Sequence, residues 1–376
     1  MQHFLYILIA IVVLLLMIVI HELGHYVAGK ILKFKINEFS VGFGPKIFSK
    51  VNKKTGEKFS LRVIPLGGYC AFEGEDEVED EKEKPQESPF PEMENAQNEQ
   101  VTEESTGTEK VITFNEQKPW KRIIVLIAGA GFNFISAIIF SFIFILSLGY
   151  SVPKVAQIYA DDTGNSYCSQ LVVGDEILGV NGKKVSIMKS FDELLPKKRV
   201  EGDKFDFLIR RNGEELTVTV TMKKIVNESE KLDYVGFGFT QQSSNVKCGV
   251  GYALKYCVPY SVKLAFMVLS SLGGLITGSI PLTSMTGPVG TVGFMAEVGM
   301  MDARNFLVLL PLLSANLAIF NILPIPALDG SKVVFTTIEW IRKKPINRKI
   351  ENIIHTVGIF LLFAFVIVID LLGIFT

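Results

Sequence analysis

FLYILIAIVVLLLMIVIHELGH, from Phe4 to His25, is an apolar run with no charged side chain before His21. A span of roughly 20 apolar residues is what a helix needs to cross a hydrocarbon core about 30 Å thick. No Lys or Arg precedes the run and no small-residue cleavage site follows it before His21, so it is expected to be a retained helix rather than a signal peptide. The run ends in His21-Glu22-Leu23-Gly24-His25, which fits HExxH. On a helix the two histidines, four residues apart, share one face and can reach one zinc ion, while the Glu beside them can deprotonate a water. Ionisable groups inside a spanning helix are costly and mark functional sites by default. The plainer reading is a helix end at the interface, yet an interface has no need of a Glu and two histidines at ligand spacing.

Composition agrees with membrane residence. Of 376 residues 48% are hydrophobic and mean hydropathy is +0.34, above what a chain with a solvated surface normally shows. The net charge of -1 gives no basic excess for a nucleic-acid partner. Cys70, Cys168, Cys248 and Cys257 show no CxxC spacing, which argues against a zinc ribbon or redox pair. The last three fall on one side of the membrane in the topology below, leaving a single disulfide open.

Further spans are expected from Ile123 to Tyr150 and from Ile353 to Phe375. Phe306 to Ile325 is apolar but interrupted by Pro311, Asn316, Asn321 and Pro324; broken helices at membrane depth line protein or water cavities rather than lipid, so this span belongs beside an active site. Basic flanks at 30–54, 118–122 and 342–349 orient the chain with those loops in the cytoplasm. Ala253 to Leu272 contains Lys255, Pro259 and Lys263, and a crossing there would invert the basic loop after it, so it reads as an interfacial helix.

The expected fold is a polytopic α-helical membrane protein with four transmembrane helices, a cytoplasmic-side membrane-associated β element and an inserted extracytoplasmic α/β module. Its divisions are the first span at 1–29, the β element at 30–72, a disordered acidic cytoplasmic insert at 73–117, the second span at 118–150, the module at 151–226, a linker with the interfacial helix at 227–303, the third span at 304–330, a basic cytoplasmic loop at 331–352 and the last span at 353–376. Within the module GDEILGVNG, Gly174 to Gly182, followed by helix-like Ser190 to Leu195 and two alternating strands, resembles a PDZ domain. Peptide capture by strand addition and exclusion of bulky substrates are both open roles for it.

A catalytic zinc wants a third protein ligand and an open position. Asp329, in Asn321-Ile-Leu-Pro324-Ile-Pro326-Ala-Leu-Asp329-Gly330, is the better candidate over His3 and His355, and Gly330 permits close backbone approach. Asp-Gly alone is a commonplace turn; its weight comes from the HExxH in another span.

HELGH in the first span, NxxPxPxLDG in a later one and a PDZ-like module between them resemble the site-2 protease family of intramembrane zinc metalloproteases, in its bacterial RseP type with one PDZ domain. The resemblance covers nearly the whole chain except the acidic insert. It implies zinc ligands at His21, His25 and Asp329, Glu22 as general base, and Asn321 holding the substrate backbone or the transition state. It also implies a substrate-binding β element formed by Gly42, Phe43 and Gly44 with the segment around Gly67 and Gly68. Ala128 to Phe134 is similar to a family stretch that usually contains Gly-Pro, and the Pro is missing here. Implied substrates are transmembrane proteins in the lipid bilayer, such as anti-sigma factors or remnant signal peptides, cut at the bacterial inner membrane with both termini and the PDZ-like module outside. Two other classes compete: a non-catalytic scaffold, disfavoured by the presence of Glu22, and a metal transporter, disfavoured because the second and fourth spans carry scarcely any ionisable groups apart from His355 and Asp370.

Overall fold

A computed structural model describes residues 2–75, 112–161, 164–198, 200–227 and 232–375. Most of the acidic insert, 76–111, lies outside the described residues. The chain divides into two compact units.

The first unit comprises Met1–Ile135, Leu272–Met300 and Asn316–Thr376. It opens with α1 (Gln2–Ile31), about 45 Å long at 1.5 Å per residue. Two long strands follow, β1 (Ile36–Val51) and β2 (Lys58–Phe72), paired antiparallel around a turn closed by Asn52 and Glu57. The register is doubled. Phe39 faces both Cys70 and Phe59, and Ser40 faces both Tyr69 and Ser60. The start of β1 is therefore an inner strand, with 58–61 on one side and 68–71 on the other, and Gly68 to Ala71 forms an edge. Gly42 and Gly44 take φ of 86° and 79° where the ribbon bends, a region that only glycine enters cheaply. Phe34, Phe72 and Phe114 stack at 5.2–5.7 Å between ring centres beneath this element, joined by Ala28, Val125 and Leu126. Here α2 (Pro119–Leu148) begins.

The second unit comprises Ser136–Ser271 and Met301–Ala315. Its sheet contains β3 (Tyr150–Ile158), β4 (Glu176–Val180), β5 (Lys183–Lys184), β6 (Lys204–Arg211) and β7 (Glu214–Thr221), with the one-turn α3 (Phe191–Leu194) capped by Ser190. A separate ribbon is made by β8 (Lys223–Asn227) and β9 (Leu232–Gly236), and β10 (Phe239–Val246) returns to pair with β3 along its length. The sheet order is β10-β3-β4-β6-β7, with β5 on β4. The expected linker at 227–303 is thus corrected: its first part completes the ribbon and the sheet. Thr240 to Asn245 is a polar edge strand without the apolar alternation that marks one in sequence. Asn181-Gly182, with φ of 46° and 74°, forms the hairpin turn its composition implies, and Asn212-Gly213, at 51° and 91°, forms another between β6 and β7. Val155, Ile177, Phe207 and Ile209 are fully buried in the core. Beside it Asp175 accepts two bonds from Arg211, at 2.8 and 2.7 Å, and one from the Val172 N–H at 2.8 Å. Burial alone would raise this carboxyl, but those donors and the guanidinium charge hold it below the usual carboxylate range.

The remaining helices are α4 (Val250–Ile276), α5 (Pro288–Met301), α6 (Phe306–Ile322), α7 (Asp329–Arg342) and α8 (Arg348–Phe375). Among the described residues five helical segments are long and apolar enough to cross a membrane: α1, α2, α4, α8 and Ala303–Ile322, which contains α6. The added one is α4, set at the interface on sequence grounds. Its Lys263 is not a free charge: Nζ donates to Glu193 and to the Met188 carbonyl, at 2.8 and 2.9 Å. The expected interruptions of the third span are also corrected. Helix α6 continues through Pro311 and Asn316 and stops at Ile322, since a proline removes only one ladder bond and neighbouring protein tolerates that loss. The basic loop expected at 331–352 is largely the helix α7. All four cysteines are free, so the disulfide left open by the sequence is not formed.

Candidate metal and catalytic site

The site is built wholly within the first unit. His21 and His25 stand a turn apart on α1, with ring centres 4.8 Å apart and rings nearly perpendicular. Their Nε2 atoms are 3.2 Å apart. Asp329, the first residue of α7, brings Oδ2 to 2.9 Å from His21 Nε2 and 3.2 Å from His25 Nε2. Three donors therefore form a small triangle.

A tetrahedral zinc with bonds of about 2.0–2.1 Å separates its donors by roughly 3.3 Å, close to these three edges. Asp329 Oδ2 is buried, and although it lies at ion-pair distance from both rings it accepts no hydrogen bond of proper geometry among the described residues. A buried carboxylate oxygen left in that condition is costly; a divalent cation satisfies it. The donor set of two imidazoles and one carboxylate also suits zinc.

The ring orientations have identifiable causes. His25 Nδ1 donates to the Val125 carbonyl of α2 at 2.8 Å, which leaves the lone pair on Nε2 turned toward Asp329. The Asn133 amide nitrogen, Nδ2, lies 3.3 Å from His21 Nδ1; only with the amide turned over, its oxygen toward the ring, does it accept the Nδ1 proton and give His21 the same tautomer. Two glycines let α1 and α2 touch here. A Cβ on Gly24 would overlap the Ala128 carbonyl, and one on Gly129 would overlap His25 Nε2 and His21 Cε1. Small residues at helix crossings of this kind let backbones approach.

Asp329 is held by the turn between α6 and α7. A Cβ on Gly330 would overlap the carbonyls of Ile322 and Leu323, so the close approach expected at this glycine is present. Ala327 adopts φ of 84°, a strained value for a residue with a Cβ. His355 of α8 braces this turn: its Nδ1 accepts from the Ala327 N–H at 3.3 Å and its Nε2 lies 3.5 Å from Ser331 Oγ. Gly358 packs against Pro326.

Glu22 lies on α1 facing the edge strand. A Cβ on Gly68 would sit 3.1 Å from Glu22 Cγ and 2.9 Å from the Ser40 carbonyl, so only glycine lets the strand come this close. The Cys70 N–H points at the Glu22 carboxylate. Gly67 lies under the Phe43 ring, while Gly42 and Gly44 shape the bend. Gly68 is thus brought to the site. Gly42, Phe43 and Gly44 join it through Gly67. Asn321, in the last turn of α6, is half-buried. Sequence reading marked Gly129 and Asn133 only as part of a stretch similar to the family's and set His355 aside as a ligand, so the aiming and bracing roles of all three went unassigned. The small residues of Ala128 to Gly131 are the local signal that could have pointed to a close helix crossing.

Known proteins place this geometry in context. The profile described as peptidase family M50 matches residues 9–365. The chain is 30% identical over 404 aligned positions to the regulator of sigma-W protease RasP of Bacillus subtilis, covering 93% of each protein. It is 29% identical to the zinc metalloprotease RasP of Bacillus licheniformis, covering 93% of this chain and 94% of that one. The RasP zinc metalloprotease of Geobacillus kaustophilus is 28% identical over 93% of both. A family match running from within α1 to within α8, and so taking in both the HELGH helix and the LDG turn, means that this chain belongs to peptidase family M50, the site-2 proteases.

Proposed function

We propose that this chain is an intramembrane zinc metalloprotease that hydrolyses a peptide bond within or near the transmembrane segment of membrane proteins. The observation that carries the reading is the triangle of His21, His25 and Asp329, with an unsatisfied carboxylate oxygen at one corner and Glu22 beside it. Zinc held by these three residues supplies Lewis acidity toward a water and the scissile carbonyl. Glu22 accepts the proton of the attacking water and returns it to the leaving nitrogen. Asn321 holds the substrate backbone. The name of the Bacillus subtilis relative ties it to sigma-W; the substrate proposed here is a membrane-anchored regulator of transcription or a remnant signal peptide.

A helical substrate hides its carbonyls in hydrogen bonds between residues four apart, so it must be extended before attack. The edge at Gly68 to Ala71 receives the extended stretch as an added strand, beside Glu22. One cysteine moved residue by residue through a substrate span, and oxidised against Tyr69→Cys in a chain with its own cysteines replaced, is expected to crosslink at alternate positions. Crosslinks recurring every third or fourth position would mean a substrate still helical there, and the strand reading would fail.

For topology, the basic flanks at 30–54, 118–122 and 342–349 support a cytoplasmic face carrying the β element, with four crossings, α4 lying in the outer interface, and the PDZ-like module at 151–226 and both termini outside the inner membrane.

Cleavage of a tagged single-span substrate by the purified chain is the direct test. A chelator is expected to stop cleavage and stoichiometric zinc to restore it. Undiminished cleavage after zinc has been measured out of the protein would defeat the reading.

A further inference from the structure

Two cavities, lined by none of the three metal-triangle residues although the first abuts the turn at Ala327 and His355, share Asn115, Arg122 and Arg348 where α2 and α8 begin. One, of about 250 Å³, is also lined by Lys332 and His355. The other, about 460 Å³, is lined by Lys343, Lys344 and Trp340. Arg122 has a side chain only 5% exposed, and its Nε has no hydrogen-bond partner among the described residues. Its Nη1 donates to Glu339 at 2.6 Å. Glu339 is shared: it also takes Arg348 at 2.9 Å and the Ile346 N–H at 3.0 Å. Burial would raise this carboxyl, but these donors and both guanidinium charges hold it below the usual range. Arg348 further engages Glu351, and Lys332 engages Glu75.

The charges do not cancel. Arg122, Lys332, Lys343, Lys344 and Arg348 face three carboxylates, Glu75, Glu339 and Glu351, a surplus of two positive charges. Neither Lys343 nor Lys344 has an ion-pair partner among the described residues. Lys343 ends α7 with φ of 54°, a conformation that favours glycine at a helix end. Carboxylates are neutralised first, and what remains is a buried, half-used guanidinium fork with two free ammonium groups: the donor set that suits a phosphate.

We infer that these neighbouring cavities are a binding site for a phosphate-bearing anion that uses none of the metal-triangle residues. The two sources of such a group are the head of an anionic phospholipid and a soluble phosphate compound. Basic pockets between membrane helices on the cytoplasmic side take lipid heads in this way, and Trp340, 53% exposed, has the side chain enriched at a membrane interface.

The test uses the full chain carrying Glu22→Gln in phospholipid-free detergent, so that binding is read without proteolysis. Phosphatidylglycerol retained per chain is counted by native mass spectrometry, and the Tm is followed with inorganic phosphate. Wild-type cavities are expected to retain one phosphatidylglycerol, with affinity falling roughly 30-fold in Lys343→Gln/Lys344→Gln. The control Lys53→Gln/Lys54→Gln, which removes the same charge from the β1–β2 turn, is expected to leave retention unchanged. Arg122→Lys keeps the charge and loses Nε, and is expected to weaken binding; if it fails to fold, the lysine pair still decides. Retention of lipid with a Tm indifferent to phosphate assigns the site to the bilayer. A Tm raised by phosphate in wild type but not in the lysine pair assigns it to a soluble ligand. Binding of neither probe, or equal losses in both double variants, would overturn the proposal.

Discussion

Glu22→Gln is expected to lower the rate of cleavage by about 10²–10⁴-fold while zinc content stays at one per chain. The amide has nearly the shape of the carboxylate, and Glu22 is not one of the three converging donors, so its loss should leave the metal in place and remove only the proton acceptor. Rate and metal analysis on the same preparation separate the outcomes. Loss of zinc together with activity would make Glu22 a structural support of the triangle, and an unchanged rate would require another base.

Gly129→Ala is expected to be as damaging by a different route. The added methyl would overlap His25 Nε2 and His21 Cε1, so the rings must leave the positions that point them at Asp329, or α2 must move off α1. Either movement opens the triangle. Zinc should fall well below one per chain and cleavage should drop by 10²-fold or more, in line with the effect of small misplacements of catalytic groups. Gly131→Ala is the matched comparison, since nothing lies within 4 Å of a Cβ there; zinc and rate are expected to persist. Full metal and activity in Gly129→Ala would show that the helices separate freely at this crossing.

What the sequence disclosed and what it withheld follow from the range of the interactions. His21, Glu22 and His25 could be read because helix geometry alone puts the two imidazoles on one face. Asp329 could be read only against the HExxH of another span, since Asp-Gly by itself is an ordinary turn. The contacts that aim the ligands were not legible. The bond from His25 to Val125 joins residues 100 apart and that from His21 to Asn133 residues 112 apart, and no local pattern encodes either. The same holds for α4, whose Lys263 looks like an unburied charge until Glu193, 70 residues earlier, is found beside it. The β element was visible as short strands joined by turns, but its two long strands and their doubled register depend on a bend at Gly42 to Gly44 that sends β1 past β2 twice.

The placement of Asp329 has a consequence for biosynthesis. His25 and Asp329 lie some 300 residues apart, and the turn carrying the carboxylate is braced by His355 near the start of the final helix. At roughly 5–20 residues per second on the ribosome, the interval between the two halves of the donor triangle is about 15–60 seconds. Through that interval the first helix sits in the translocon and in the bilayer among other nascent spans, with two imidazoles and a glutamate but no third ligand. Until the turn carrying Asp329 and the helix that braces it are in place the donor triangle is incomplete, so competence to hold the metal comes late in synthesis.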